Sequence, residues 1–83
     1  MTAYIFYFGK VSALTGKEKE QIDLPETVTD ISSLRQWADS RFQAEGEFLN
    51  PKIRIAINGK ILPDSSMLEQ IDEIAFLPPV GGG

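Results

Sequence analysis

The sequence predicts an α+β domain, a mixed sheet of about five strands packed on one main helix. Three observations carry this reading. Segments of strand character stand at both ends of the chain, a single stretch of helical periodicity lies between them, and 83 residues suffice for one domain and no more. The domain is expected to span residues 1–80, with residues 81–83 as a flexible C-terminal tail.

Composition narrows the chemistry before any motif is read. With 42% apolar and 24% charged residues, the chain has the makeup of a folded globular protein rather than a disordered one. Cys and His are both absent. That removes the disulfide, the thiolate nucleophile, the Ser–His pair and the nitrogen or sulfur zinc site. No Asp/Glu cluster has calcium-loop spacing, so no metal is expected. The eight Lys and Arg are scattered between positions 10 and 60, and the net charge is −4. The concentrated positive footprint that nucleic acid requires is missing. The apolar run Ala3–Phe8 is too short for a signal segment and follows no basic residue, and no stretch has membrane-spanning length. Neither nucleic acid nor membrane is expected as a partner, and the expected location is cytoplasmic.

Taken in order, Ala3-Tyr4-Ile5-Phe6-Tyr7-Phe8 is rich in aromatic and β-branched side chains and stops at Gly9. It reads as a strand, apolar on both faces and central in the sheet. Val11 and Leu14 stand at helical spacing between Lys10 and Thr15, and Gly16 closes a short helical segment or turn. From Lys19 to Leu24 charged and apolar residues alternate, with Ile22 and Leu24 inward, until Pro25 ends a second strand. Asp30 is placed as N-cap of the main helix, whose Ile31, Leu34, Ala38 and Phe42 recur at helical spacing on one face. Trp37 and Arg41 flank that face, Trp37 as cover for the edge of the core. Gly46 marks the end of the helical region, and Glu47–Pro51 is a loop under which Phe48 and Leu49 can pack.

Ile53 to Ile57 alternates strictly, and Asn58-Gly59 is a strong hairpin signal before Lys60-Ile61-Leu62 returns to Pro63. A two-residue turn sets Ile57 opposite Lys60, Ala56 opposite Ile61 and Ile55 opposite Leu62. Asp64 to Gln70 reads as a turn with a loose helical fragment, Met67 and Leu68 facing inward. Glu73 to Leu77 is the last strand, and Asp72 and Glu73 read as turn residues rather than an acid–base pair.

The closing residues are the most informative. Pro78-Pro79 stiffens the exit from the last strand, aiming Val80-Gly81-Gly82-Gly83 away from the sheet. Terminal glycines by themselves read either as a frayed end or linker remnant, or as a chemical handle. The second reading has a reason for each residue type. A carboxylate resists nucleophiles until it is converted to an acyl-adenylate, and only the C-terminal carboxylate can be threaded into another enzyme's narrow channel. Glycine suits the thread because it has no Cβ, and three extended glycines reach roughly 10 Å.

The segment from Leu68 to Gly83 resembles the C-terminus of the molybdopterin synthase small-subunit family, with its Asp-Glu-Val-Ala-Phe-Phe-Pro-Pro-Val-x-Gly-Gly pattern. Phe6-Tyr7-Phe8-Gly9-Lys10-Val11 with Leu14 and Gly16, Leu34-Arg35-Gln36, and Ile57-Asn58 extend the resemblance over nearly the whole chain. Ile71 stands where the family usually has Gly, so the turn into the last strand is expected to differ locally, and Gly81 stands where Ser, Thr or Ala is common. The resemblance implies a β-grasp, or ubiquitin-like, fold and a sulfur-carrier role. An ubiquitin-activating-like adenylyltransferase would use ATP to adenylate the Gly83 carboxylate, and a sulfur donor enzyme would convert it to a thiocarboxylate. Gly81, Gly82, Pro78, Pro79 and Val80 would insert into the large subunit, where sulfur passes to cyclic pyranopterin monophosphate. It further implies a heterotetramer, no permanently bound cofactor, and catalytic side chains supplied by the large subunit.

Strand parity places a docking surface. If Ile53, Ile55 and Ile57 face the helix, Leu62 joins them and Ile61 lies outward with Arg54 and Ala56. With Ile74 and Phe76 inward, Leu77 points out. Parity in the first strand is ambiguous, and the family match favours Phe8 outward. Phe8, Ile61 and Leu77 would then form an exposed apolar patch for partners. Two other readings stand beside this one: a carrier for thiazole or tRNA thiolation, and a β-grasp interaction module without covalent chemistry.

Overall fold

The computed structural model describes residues 1–79, so the expectations placed on Val80, Gly81, Gly82 and Gly83 lie outside the described residues. The elements run β1 (Thr2–Tyr7), α1 (Lys10–Thr15), β2 (Lys19–Asp23), α2 (Ile31–Phe42), a 3-10 turn (Glu47–Leu49), β3 (Arg54–Ile57), β4 (Lys60–Ile61) and β5 (Glu73–Leu77). The five strands form one sheet in the order β2-β1-β5-β3-β4. The first and last strands lie side by side and parallel, while the other pairs are antiparallel. A mixed sheet carrying one main helix is the β-grasp arrangement.

The core lies between α2 and one face of the sheet. Ala3, Ile5 and Tyr7 of β1, Ile55 and Ile57 of β3, and Ile74 and Phe76 of β5 alternate onto that face and are buried against Ile31, Leu34 and Ala38 of α2. Trp37 and Phe42 pack on its edge, as expected of Trp37. The predicted N-cap holds: Asp30 Oδ1 accepts from the Ser33 amide at 2.8 Å, and Ser33 Oγ accepts from the Asp30 amide at 3.0 Å. Such a capping box satisfies two N–H groups that the helix cannot bond itself. In the β3–β4 turn Asn58 and Gly59 both have positive φ, 51° and 85°. The pairs Ile57–Lys60 and Ala56–Ile61 form as the two-residue turn requires.

Several expectations need correction. Asp64–Gln70 holds no helical fragment, and Met67 is 63% exposed while Leu68 packs on the core. The backbone of this segment serves α2 instead. Ser66 and Asp64 carbonyls accept from the free Ile31 and Ser32 amides, and Leu68 donates to Thr29. The chain therefore runs extended at Met67, where it makes a bridge to Asp30, and neighbours in an extended segment face opposite ways. Phe48 is fully buried by the 3-10 turn, but Leu49, next to it, remains exposed. The main helix stops at Phe42, earlier than Gly46, because Gln43 turns to φ 50°.

Ile71 needs no glycine-like conformation; it is buried in the core. The turn it occupies is held by Asn58, whose Nδ2 donates to the Gln70 carbonyl and whose Oδ1 accepts from the Asp72 and Glu73 amides, all at 2.8–2.9 Å. Asp72 and Glu73 act there through their backbone.

Candidate functional site

The end of the sheet where β5 leaves carries the candidate site. Because β1 and β5 are parallel with Phe6 beside Ala75 and Tyr7 beside Phe76, the next step sets Phe8 beside Leu77, and the Phe8 amide donates to the Phe76 carbonyl at 3.3 Å. Antiparallel pairing of β3 puts Arg54 opposite Leu77 and Ala56 opposite Ala75, and β4 adds Ile61 beyond Ala56. Phe6, Phe8, Ala75, Leu77, Arg54, Ala56 and Ile61 share the face turned away from α2, while Tyr7 and Phe76 point into the core. Phe8 is 47% and Ile61 51% exposed, and Leu77 is half-buried between them. The structure thus brings the three predicted docking residues onto one face, with Phe8 outward.

That face is larger than the sequence reading held. Tyr4 and Phe6 alternate onto it with Phe8, Tyr4 as exposed as Phe8, and the Phe6 and Phe8 rings stack at 6.5 Å. Aromatic residues at every second position of β1 were the signal for this. Ala56 and Ala75 floor a hollow of about 230 Å³ between Phe6, Phe8, Gly59 and Glu73. A second, open cleft is lined by Pro51, Lys52, Arg54, Ile61, Leu77, Pro78 and Pro79. Lys52 and Arg54 make no ion pair among the described residues. The tail root is therefore flanked by apolar surface with two cations at its border.

Pro78 and Pro79 are half-buried on the body. They belong to the surface as much as to the tail, a position that composition alone did not reveal.

Two polar networks hold the frame of this site from the helix side. Arg35 is 5% exposed. Its Nε donates to Asp64 at 2.9 Å, Nη1 to the Phe48 and Asn50 carbonyls at 3.0 Å, and Nη2 to the Ile53 carbonyl at 2.6 Å. It thereby fixes the loop that carries Pro51 and Lys52. No periodic signal marked it, since a cation in the middle of an apolar helix face looks like a solvated residue until the loop closes over it.

At the other end of α2, Arg41 grips Glu20 with both Nη atoms at 2.6 and 2.7 Å, and Tyr7 Oη donates to the same carboxylate at 2.6 Å. The Arg41 guanidinium stands over Phe42 and Trp37. Arg41, more than the Tyr7 hydroxyl, holds the Glu20 carboxyl down at about 2 against partial burial. Burial and the neighbouring Glu20 push the Tyr7 phenol far above its ordinary range. Both groups keep fixed charges near neutral pH, so they staple β1, β2 and α2 together rather than exchange protons.

Among the described residues no group of His, Cys, Asp and Glu could hold a metal ion, and no buried side-chain polar atom lacks a partner. No described helix is long and apolar enough to cross a membrane. What the described residues offer at the site is a contact surface and a tail root of two consecutive prolines.

Comparison with known proteins gives a consistent picture. The ThiS family pattern matches residues 5–83. The molybdopterin synthase sulfur carrier subunit of Mycobacterium tuberculosis (strain ATCC 25618 / H37Rv) is 29% identical over 80 residues, which are 95% of this chain and 94% of that protein. The structure of the complex of subunits 1 and 2 of molybdopterin-converting factor from Helicobacter pylori 26695 matches with TM-score 0.55 and 26% identity, over 100% of both chains. The small archaeal modifier protein 1 of Haloferax volcanii shares the fold, with TM-score 0.72 and 20% identity over 95% of this chain and 98% of that one.

Proposed function

Because this chain belongs to the ThiS family, we propose that it is the sulfur-carrier subunit of a molybdopterin synthase, with the Gly83 carboxylate as its reactive group. The observation that carries the reading is the exposed face of Phe8, Leu77 and Ile61 running directly into the Pro78-Pro79 root of the tail. A carrier must present two things together, a surface that a partner can hold and a chain end that the partner can thread. A full-length relative of that function supports the assignment, and so does the likeness to a chain solved in complex with its second subunit.

The chemistry follows from the inventory. A carboxylate oxygen of Gly83 attacks the α-phosphorus of ATP in an adenylyltransferase, pyrophosphate leaves, and a mixed anhydride with AMP results. Sulfide sulfur delivered by a donor enzyme attacks the carbonyl carbon, AMP leaves, and the thiocarboxylate remains. The apolar face then docks on a large subunit and the tail enters its active site. The thiocarboxylate sulfur bonds to a carbon of cyclic pyranopterin monophosphate in place of an oxygen substituent, and water cleaves the resulting thioester, leaving the sulfur on the pterin and the carboxylate restored on Gly83. Any thiol or imidazole the transfer uses comes from the partners, since this chain has no Cys or His to supply them.

Intact-mass measurement after incubation with an activating enzyme, ATP and a sulfur donor tests the first stage. The expected product is heavier by the replacement of one oxygen with sulfur, located at Gly83 by fragmentation. Discharge on adding large subunit and pterin precursor tests the second stage. Loading without discharge, but with discharge to a thiazole or tRNA acceptor, would reassign the pathway. No loading at all would end the carrier reading.

A further inference from the structure

The tail root rests against the body beside a glycine. Gly9 follows β1 with φ 54° and ψ −126°, a conformation that L side chains rarely adopt. Gly16, Gly46 and Gly59 also have positive φ, but a Cβ on any of them would meet nothing within 4 Å. A Cβ on Gly9 would stand 3.0 Å from Cγ of Pro78 and 3.8 Å from its Cβ. The empty side of Gly9 is thus occupied, and what fills it is the first proline of the tail root.

Neither partner of this contact can easily give way. On the near side, the Phe8 amide is bonded to the Phe76 carbonyl, the Phe8 carbonyl accepts from Val11, and the Gly9 carbonyl accepts from the Ser12 amide at 3.1 Å and Ser12 Oγ at 2.8 Å. Val11 is fully buried and anchors the start of α1. On the far side, Pro78 is a ring with fixed φ, followed by another.

We propose that Gly9 is the positioning residue of the tail: its missing Cβ is the notch in which Pro78 sits, and the notch sets the direction in which the chain leaves the body. The inference rests on the sulfur-carrier reading for its purpose but not for its geometry. Beyond Pro79, four residues can span at most about 14 Å, so the partner must find the carboxylate within a short radius of the root. A displaced root then shortens or misdirects delivery. Misplacement of a reacting group by about 1 Å can lower a rate about a hundredfold.

The test compares the unaltered protein with Gly9→Ala, Pro78→Ala and the double variant. In the isolated protein, Cα–Hα residual dipolar couplings of Pro79 are measured against the frame of the β1 and β5 amides. Gly9→Ala is expected to rotate Pro79, and Pro78→Ala, which empties the notch without touching Gly9, to average its couplings toward smaller values. In the activating-enzyme assay, Gly9→Ala is expected to lower the maximal loading rate about tenfold with docking affinity changed less than about twofold. In the Pro78→Ala background the same change should cost less than about twofold, because the colliding ring atom is gone. Unmoved Pro79 couplings in both single variants would overturn the proposal, as would an equal loading penalty in both backgrounds. If Gly9→Ala does not fold, Pro78→Ala decides alone by the couplings. Failure of the unaltered protein to accept sulfur would remove the carrier reading and leave the couplings to decide the role of Gly9.

Discussion

Truncating Ile61 to Ala separates docking from folding. Ile61 lies on the edge strand β4, with 51% of its surface open. Complete burial of an Ile side chain is worth about 1.5–3 kcal/mol. About half of that remains to be gained when a partner covers it, roughly 1–1.5 kcal/mol, or about a tenfold change in Kd. Folding should lose at most a similar amount, about 1 kcal/mol, for the half of the side chain already buried in the isolated protein. Met67 supplies the control: it is 63% exposed, but it lines a hollow with Met1, Leu24 and Pro25, at the end of the sheet opposite the tail. Calorimetric titration against a molybdopterin synthase large subunit should show Ile61→Ala binding about tenfold more weakly and Met67→Ala binding unchanged, with both variants folded under the conditions of the titration. Equal affinities for the two variants would refute the assignment of this face.

Further outcomes follow from the polar networks and the tail. Arg35→Ala strands the carbonyls of Phe48, Asn50 and Ile53 and should cost about 3–5 kcal/mol in urea unfolding. Asp64→Asn should cost under about 1 kcal/mol, since Asp64 is 56% exposed. The Glu20 carboxyl is held at about 2 instead of its ordinary 4.5, so a lowered acid stabilises the fold fully above pH 4.5 and loses that contribution as pH falls through about 2. The stability gap between the unaltered protein and Glu20→Gln should therefore shrink by up to about 3 kcal/mol across that window, and a gap that stays constant under acid titration would contradict the Arg41 pairing. Deleting Gly83 should abolish sulfur loading and leave thermal stability unchanged; retained loading would exclude the terminal carboxylate as the handle.

Much of the fold was legible because the signals are local. Asp30 announces a helix start through a side chain that bonds its own first turn. Asn58-Gly59 announces a hairpin because these residues accept positive φ. The outward placement of Ile61 and Leu77 followed from alternation along their strands, whereas Phe8 was set outward only by the family resemblance. Met67 was misplaced for the complementary reason. A polar, proline-bounded stretch has weak periodicity, and its conformation was decided by the unbonded amides of a helix start more than thirty positions earlier, at Ile31 and Ser32. Arg35 was unreadable because its acceptors are backbone carbonyls, which carry no sequence signature.

Taken alone, the amino-acid order settled which side chains the chain lacks, where its strands and main helix lie, and which family its closing motif resembles. These depend on residue identity and short-range spacing, and both are present in the string. Only the tertiary structure decided which face of β1 is covered, since alternation defines two faces without saying where the helix lies. It also decided that Pro78 rests on Gly9, a contact made when the last strand is laid parallel to the first. Chain positions so far apart meet only through the packing of everything between them.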